Sequence, residues 1–142
     1  MNRPFMLDSG PLGKIAHPRP NMDFITWFRG LLQRGEEFIV PEIADYEVRR
    51  SLLLNNLSTS LEKLDALKHT ITYLPIDTDT MVKAAELWAQ ARKKGTPTAD
   101  PHALDGDVIL AAQALKLNAV VITENKGHLD LFVDVKKWSD VR

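Results

Sequence analysis

The chain has 142 residues, 44% of them apolar and 26% charged, as in an ordinary globular domain. It contains no cysteine, which excludes a disulfide framework, a thiol nucleophile and a cysteine zinc site, and which fits a reducing cytoplasm. The formal net charge of −1 gives no global basic footprint, so any nucleic-acid site must be local. No apolar run is long enough to span a bilayer, and the N-terminus lacks a signal-peptide core. We therefore expect a cytoplasmic domain without membrane association.

The chain begins with an apolar run that ends in polar residues. Pro4 to Leu7 predicts the first strand, and Asp8-Ser9-Gly10-Pro11 is a turn signal. In open parallel sheets, a buried strand that runs into a polar turn presents ligand groups at its carboxyl end. A proline-rich loop from His17 to Asn21 then precedes an amphipathic helix over residues 24–32, which Gly35 ends.

The middle of the chain alternates further strands with helical patterns. Residues 38–40 predict a second strand, and Pro41 suits the entry to the next helix. Glu47 on that helix shares its side with apolar residues, where a surface glutamate is not expected. We predict three more elements here: a helix over residues 57–67, a strand from Ile71 to Leu74, and a helix over residues 81–89 that is capped near Asp77 and closed by Lys93, Lys94 and Gly95.

The segment from Leu104 to Gly127 carries the most informative pattern. Asp107 heads a helix face that is otherwise apolar, and a charge there is costly unless it is paired, capped or bound to a metal. Asn118 breaks the helix, and a buried strand from Ala119 to Thr123 follows. That strand ends in polar groups, and the other members of the apolar helix face are Leu110, Ala111 and Ala114.

Two further segments complete the predicted topology. Thr96 to His102 is predicted to be a loop, and Leu131 to Val135 an edge strand whose following lysines, Lys136 and Lys137, discourage further pairing. Strands that alternate with helices favour a parallel α/β sheet covered on both faces.

Several acids occupy positions that favour a shared metal site. Asp8 follows the first strand, Glu47 faces inward on a helix, Asp107 heads an apolar stripe, and Asp105 lies two residues before it. The carboxyl ends of strands one and four commonly lie side by side in such sheets, which would bring these acids together. Carboxylates held close together repel, and a divalent cation removes the conflict. Mg²⁺ or Mn²⁺ prefers oxygen ligands and bridges readily to phosphate.

Each of these acids also has a purely structural explanation. Asp8 alone fits a turn or helix cap, and Glu47 can pair with Arg50. Asp105 is a candidate N-cap, and Asp107 can favour the helix dipole. Only their joint occurrence in this order of strands and helices favours a metal site.

Four motifs together resemble the PIN-domain ribonucleases that act as toxins of VapBC-type toxin–antitoxin pairs, over nearly the whole chain. The acid at the end of strand one matches Asp8 in Met6-Leu7-Asp8-Ser9-Gly10-Pro11-Leu12, and the helix glutamate matches Glu47 in Tyr46-Glu47-Val48-Arg49-Arg50. The helix opening D-x-hydrophobic-hydrophobic-A-A matches Asp107 to Ala112. The strand-end motif T-x-N matches Thr123-Glu124-Asn125.

This resemblance implies a fold and a reaction. The fold would be one PIN-like three-layer α/β/α domain over residues 1–142, with a central parallel sheet of four to five strands. The reaction would be Mg²⁺- or Mn²⁺-dependent hydrolysis of RNA phosphodiester bonds. Asp8, Glu47 and Asp107 would be the catalytic acids and metal ligands, and Asp105 would be a further metal ligand.

The resemblance also implies binding residues and partners. Ser9 and Asn125 would position water or a phosphate oxygen, and Arg49 and Arg50 are the nearest candidates for contacts to RNA phosphates, at least one of them being only an exposed helix residue. The partners would be RNA, a small antitoxin whose tail blocks the acidic pocket, and a second copy of the chain in a homodimer.

One departure from the family pattern leaves an alternative open. His128 stands where many such proteins carry a fourth acid, three residues after the asparagine. Asp105 would then supply the charge, or one metal would be bound by fewer acids, and His128 would either contact substrate or be an exposed loop residue. The alternative function is a catalytically impaired PIN-fold module that binds RNA or protein.

Two other α/β families fit the chain less well. Phosphotransferases of the haloacid dehalogenase type need a second acid two residues after the first, where this chain has Gly10. A receiver domain needs an aspartate at the end of its third strand, and Leu74-Pro75-Ile76-Asp77 offers only a poor candidate.

Overall fold

A parallel β-sheet organises the chain in the computed structural model, which describes residues 2–95, 101–124, 127 and 129–142. Within this described part, five strands pair in the order β3-β2-β1-β4-β5, every pair parallel. The strands are β1 (Phe5–Leu7), β2 (Phe38–Pro41), β3 (Thr72–Leu74), β4 (Val120–Ile122) and β5 (Val135–Lys136). The helices are α1 (Ser9–Ala16), α2 (Met22–Gln33), α3 (Glu42–Leu54), α4 (Ser58–Leu67), α5 (Thr78–Lys93) and α6 (Pro101–Leu117), and short 3₁₀ helices span Leu129–Leu131 and Trp138–Asp140.

The sheet separates two apolar cores, because successive side chains of a strand point to opposite faces. In β1, Met6 belongs to the core shared with α5 and α6, whereas Leu7 belongs to the core shared with α1, α2 and α4. Val121 and Ile122 divide in the same way in β4. The layers are therefore helix, sheet and helix, which confirms the predicted three-layer α/β/α fold with a central parallel sheet.

The register at the centre of the sheet positions the candidate site. Strand β1 pairs with β4, and Leu7 lies opposite Ile122. The next residue of each strand, Asp8 and Thr123, therefore leaves the sheet at the same edge. The predicted adjacency of the carboxyl ends of strands one and four is confirmed. No helix in the described part of the chain is long and apolar enough to cross a membrane.

The first predicted turn is wrong, because Ser9–Ala16 forms helix α1 directly after β1. Asp8 is the N-cap, and its side chain accepts a hydrogen bond from the Ser9 backbone N–H. Pro11 lies in the first helical turn, where a backbone N–H has no intrahelical partner to lose. Glycine and proline therefore start a helix here, although they resemble a turn signal in the sequence.

Two later boundaries also differ from prediction. Helix α6 begins at Pro101, so the predicted loop ends earlier than His102, and Asp107 lies in the second helical turn; residues 96–100 lie outside the described residues. The predicted edge strand is wrong over Leu131, which belongs to a 3₁₀ helix, and strand β5 is confined to Val135–Lys136. Lys136 lies within this strand, at the edge of the sheet.

Candidate active site

Asp8 is held at the junction of β1 and α1 by two hydrogen bonds. Its Oδ1 accepts from the backbone N–H of Ser9 at 2.7 Å, and its Oδ2 accepts from the hydroxyl of Thr123 at 2.8 Å. Thr123 is buried, with 2% of its surface exposed. The carboxylate is therefore oriented by both central strands, and its cap role accounts for only one of its two oxygens.

Glu47 extends from α3 towards α6. Its carboxylate lies against the backbone of Gly106, so that a β-carbon at residue 106 would stand 3.2 Å from Glu47 Oε2. The apolar side that the sequence predicts around Glu47 is buried only in part, because Ile43 is 8% exposed whereas Tyr46 and Leu54 are exposed at 55% and 81%. The face of α3 that is buried in the cores consists of Ile43, Ala44, Asp45, Val48 and Leu52.

The carboxyl group of Glu47 interacts electrostatically with two other acids. Burial raises the pKa of the Glu47 carboxyl, and the negative charge of Asp8 raises it further. The guanidinium of Arg50 lowers this pKa, while the charge of Asp107 raises it. Acids predicted from two distant segments thus act on the charge of Glu47, and a proton or a cation at Glu47 relieves the repulsion.

Asp105 does not lie with these acids. Residues two apart on a helix point about 200° apart around its axis. Gly106 and Asp107 of α6 adjoin Glu47, whereas Asp105 is exposed beside Met81 and Trp88 of α5. The structure therefore places Asp8 and Asp107 within electrostatic reach of Glu47 and puts Asp105 on another surface of α6.

A groove of about 530 Å³ runs from Glu47 between α1 and α3. Arg50 lies along it, with its guanidinium 5.1 Å from the centre of the Tyr46 ring. The groove has an acid at one end and cations along its walls, a charge pattern that suits an anionic chain crossing a metal site. Its lining residues are Ser9, Gly10, Gly13, Lys14, His17, Glu47, Val48, Arg50, Ser51 and Leu52.

Arg49, the other predicted phosphate contact, already has two carboxylate partners. Its Nη2 donates to Asp45 Oδ1 at 3.0 Å and to Asp65 Oδ1 at 2.7 Å. Asp45 is only 6% exposed and also accepts from the Tyr73 hydroxyl at 3.4 Å. This buried ion pair was not predicted from the sequence, although Asp45 and Arg49 are spaced four residues apart on a helix, as such pairs commonly are.

Glu124, which directly follows Thr123, contacts α1. Its Oε1 lies 3.5 Å from Lys14 Nζ, and its side chain covers Gly10 so closely that a β-carbon there would approach Glu124 Cγ to 2.9 Å. This acid therefore lies on α1 at the rim of the groove. Asn125, predicted to position water or a phosphate oxygen, and His128, which stands where a fourth acid is expected, lie outside the described residues.

The carboxylate groups of the predicted site are chemically suited to bind a divalent cation. Within the described residues, no three carboxylate or imidazole side chains already stand at the spacing of metal ligands. Asp8, Glu47 and Asp107 nevertheless provide carboxylate oxygens, the charges of Asp8 and Asp107 both raise the pKa of Glu47, and Gly106 leaves room for the Glu47 carboxylate. Hard oxygen donors with excess negative charge are what Mg²⁺ and Mn²⁺ bind.

Comparisons with solved structures reveal the same fold in bacterial complexes. VapBC2 from Rickettsia felis bound to a DNA fragment from its promoter matches with a TM-score of 0.76 and 15% identity, over 94% of this chain and 98% of that chain. FitAcB from Neisseria gonorrhoeae matches with a TM-score of 0.74 and 22% identity, over 96% and 99%. VapBC-1 from nontypeable Haemophilus influenzae matches with a TM-score of 0.70 and 18% identity, over 95% and 98%.

Sequence comparison assigns the family. No curated protein gives a significant match to this chain. The sequence model of the PIN domain matches residues 6–132, which include all of β4 and the acids Asp8, Glu47 and Asp107. The chain therefore belongs to the PIN-domain family.

Proposed function

We propose that this protein is a Mg²⁺- or Mn²⁺-dependent endoribonuclease that hydrolyses RNA phosphodiester bonds, and that it is the toxin of a toxin–antitoxin pair. The observation that carries the proposal is the position of Glu47, whose carboxyl pKa is raised by burial and by the charges of Asp8 and Asp107. Membership of the PIN family supports nuclease chemistry at this point of the fold.

Asp8, Glu47 and Asp107 would hold the metal ion. When bound, the ion supplies a water of lowered pKa and neutralises charge on the phosphate. Thr123 orients the Asp8 carboxylate through its hydroxyl, as groups behind metal ligands commonly do. Asp105 stands outside this proposed ligand set, because it faces α5.

Side chains around the acidic site would bind and orient the RNA. Arg50 and Lys14 line the groove and would contact phosphates on either side of the cleaved bond. Ser9 and Asn125 would position water or a phosphate oxygen. Arg49 contributes little to this contact, since Asp45 and Asp65 already neutralise its charge.

The proposed partners follow from the complexes that share this fold. VapBC and FitAB are toxin–antitoxin complexes, and we propose a small antitoxin for this chain whose tail blocks the acidic site. We also propose a homodimer and a cytoplasmic location. A catalytically impaired RNA-binding or protein-interaction module is the second candidate, and His128 in place of the expected fourth acid favours it.

Cleavage of RNA by an isosteric variant tests the function. Asp107→Asn keeps the shape of the side chain and removes its charge, so we expect metal-dependent cleavage to be abolished while the circular dichroism spectrum is unchanged. Asp23→Asn, which alters an exposed acid in the first turn of α2, is the matched control and should cleave as wild type does. Equal rates for Asp107→Asn and wild type, in preparations shown free of other ribonucleases, would contradict the proposal. A wild type without metal-dependent cleavage would favour the second candidate.

A further inference from the structure

Gln113 is a polar side chain in the middle of an apolar stretch of α6. It is 0% exposed, and all residues from Leu110 to Ala114 are buried. Burying an amide costs free energy unless its donor and its acceptor both find partners. Both do here, because Oε1 accepts from the backbone N–H of Ile43 at 3.2 Å and Nε2 donates to the backbone carbonyl of Leu74 at 2.8 Å. The side chain therefore joins α6 to α3 and to the end of β3.

The hydrogen bond to Ile43 supplies α3 with a cap that its own sequence lacks. The N-cap residue of α3 is Pro41, which makes no side-chain capping hydrogen bond. Backbone N–H groups in the first turn of a helix have no partner within the helix. Helices α1, α2 and α5 are each capped by the side chain of the residue directly before them, whereas α3 receives its acceptor from Gln113. The start of α3 is thus fixed relative to α6.

This hydrogen bond and the acidic site lie on the same contact between two helices. Gln113 and Gly106 are seven residues apart, which places them on one side of α6. Ile43 and Glu47 are four residues apart, which places them on one side of α3. Since Gln113 contacts Ile43 and Gly106 adjoins the Glu47 carboxylate, the two helices meet at two points, roughly 10 Å apart along α6.

The end of β3 strengthens this junction. The side chain of Glu42, the first residue of α3, accepts from the backbone N–H of Ile76 at 2.8 Å. Gln113 donates to Leu74, so the segment that ends β3 is bonded to α3 and to α6 at once. Hydrogen bonds of this kind span about 2.7–3.2 Å, so a slide of α6 along α3 by about 1 Å would break both bonds of Gln113.

We propose that Gln113 is a positioning residue of the acidic site. It holds α6 against the start of α3 and thereby sets the distance between the carboxylates of Glu47 and Asp107, on which the affinity for a divalent cation depends. This inference rests on the metal site of the proposed function and gives Gln113 no contact with metal or RNA. Groups behind metal ligands commonly change metal affinity about 10- to 100-fold. An amide that only filled the core would leave that affinity unchanged on replacement by an apolar side chain of equal length.

Isothermal titration with Mn²⁺ tests this role. Gln113→Met keeps the length of the side chain and removes both hydrogen bonds, and we expect a dissociation constant for Mn²⁺ about tenfold higher than that of wild type. Thr80→Val is the matched control, because Thr80 is 3% exposed and its hydroxyl donates to Asp77 at 2.7 Å at the start of α5. This control loses a buried hydrogen bond away from α3 and should bind Mn²⁺ as wild type does. Equal affinities of Gln113→Met and Thr80→Val overturn the proposal.

Gln113→Asn keeps the proposal testable if Gln113→Met does not fold. Its amide is one methylene closer to the backbone and cannot span Ile43 and Leu74 together, so Mn²⁺ should bind severalfold more weakly than to wild type. Hydrogen exchange at the Ile43 N–H reports the junction without metal and should be about tenfold faster in the Gln113 variants than in Thr80→Val. Unchanged exchange at Ile43, or wild-type affinity for Mn²⁺ in Gln113→Asn, overturns the proposal.

Titration in the absence of RNA separates this inference from the nuclease proposal. A wild type that binds Mn²⁺ and does not cleave RNA contradicts the nuclease, while the affinities of the Gln113 variants still decide the positioning role. If wild type cleaves, kcat of these variants at subsaturating Mn²⁺ should fall about tenfold and KM for RNA should stay within about twofold, because Arg50 and Lys14 keep their places in the groove. A higher KM with unchanged kcat overturns the proposal, and a wild type that binds no Mn²⁺ overturns it together with the metal site.

Discussion

The carboxylate of Glu47 lies against the backbone of Gly106, joining α3 to α6 at the point where a β-carbon on residue 106 would stand 3.2 Å from Oε2. That distance is tight for a carbon beside a carboxylate oxygen, so either the side chain or the helix must give way when residue 106 is larger. Gly106 therefore decides how closely the acid of α3 approaches Asp107, the acid that follows Gly106 on α6.

Gly106→Ala should weaken metal binding while leaving the stability of the fold nearly unchanged. Alanine in a helix interior is worth roughly 0.5–1 kcal/mol more than glycine, which offsets the crowding of Glu47, so the melting temperature should change little. Displacement of the carboxylate should weaken Mn²⁺ binding roughly tenfold, as changes behind metal ligands commonly do. Isothermal titration with Mn²⁺ measures this effect.

Gly30→Ala is the control for that measurement. Gly30 lies within α2, and a β-carbon there would meet nothing within 4 Å. The Gly30→Ala variant should therefore be slightly more stable, because alanine favours the helix more than glycine does, and it should bind Mn²⁺ as wild type does. Unchanged Mn²⁺ affinity in Gly106→Ala would show that metal binding does not depend on the close contact between the Glu47 carboxylate and Gly106.

Glu47→Gln should stabilise the protein when metal is removed by a chelator. The pKa of Glu47 is raised from its ordinary value of 4.5 in the folded state, chiefly by burial and then by the charge of Asp8, so its charged form costs free energy of folding at neutral pH. The folded state then binds more protons than the unfolded state, and wild type gains stability as pH falls through the raised pKa towards 4.5. We expect the variant to be more stable at pH 7 by at most about 1 kcal/mol, because the carboxyl is partly solvated.

Thermal unfolding at several pH values measures this difference. The advantage of Glu47→Gln should shrink as the pH falls through the raised pKa and vanish below 4.5, where the wild-type carboxyl is protonated in the folded and unfolded states. Adding Mg²⁺ should raise the melting temperature of wild type and not of the variant, since binding favours the folded state. Glu62→Gln, at an exposed position of α4, controls for the loss of one negative charge. A pH-independent gain would assign the effect to something other than this titration.

The sheet and its central adjacency were predictable because they depend on periodicity. The apolar runs at β1, β2 and β4 are bounded by polar residues, and parallel connections leave few strand orders. The convergence of Asp8, Glu47 and Asp107 followed from that order together with the family resemblance. Their mutual effect on the pKa of Glu47 depends on burial and distance, which the sequence does not contain.

The positions of several acids were predicted wrongly because they depend on where a helix begins and on which side of it each residue lies. Asp105 and Asp107 look equivalent as a pair of acids, yet a helix that begins at Pro101 directs them to different surfaces. Asp45 looks like an ordinary first-turn acid of α3, but Arg49, Lys68 and Tyr73 surround it in the folded chain. Burial of a carboxylate depends on partners from several elements, so a pattern within one element cannot reveal it.

Thr123→Val should weaken the site through Asp8. The substitution keeps the shape and burial of the side chain and removes the hydroxyl that donates to Asp8 Oδ2 at 2.8 Å. We expect about 1 kcal/mol lower stability from the lost hydrogen bond and roughly tenfold weaker Mn²⁺ binding from the freed carboxylate. Thr123→Ser retains the donor and should keep most of the Mn²⁺ affinity. Equal affinities for the valine and serine variants would show that this hydrogen bond does not orient Asp8.

Asp45→Asn and Asp65→Asn should differ in stability although both remove a carboxylate from Arg49. Asp45 is 6% exposed, and losing its charge leaves part of the guanidinium buried beside a neutral group, so we expect a loss of about 2–3 kcal/mol. The Asp65 side chain is 57% exposed, and its pair with Arg49 should contribute less than about 1 kcal/mol. Urea unfolding at pH 7 measures both losses. A larger loss for Asp65→Asn than for Asp45→Asn would show that burial does not set the strength of this pair.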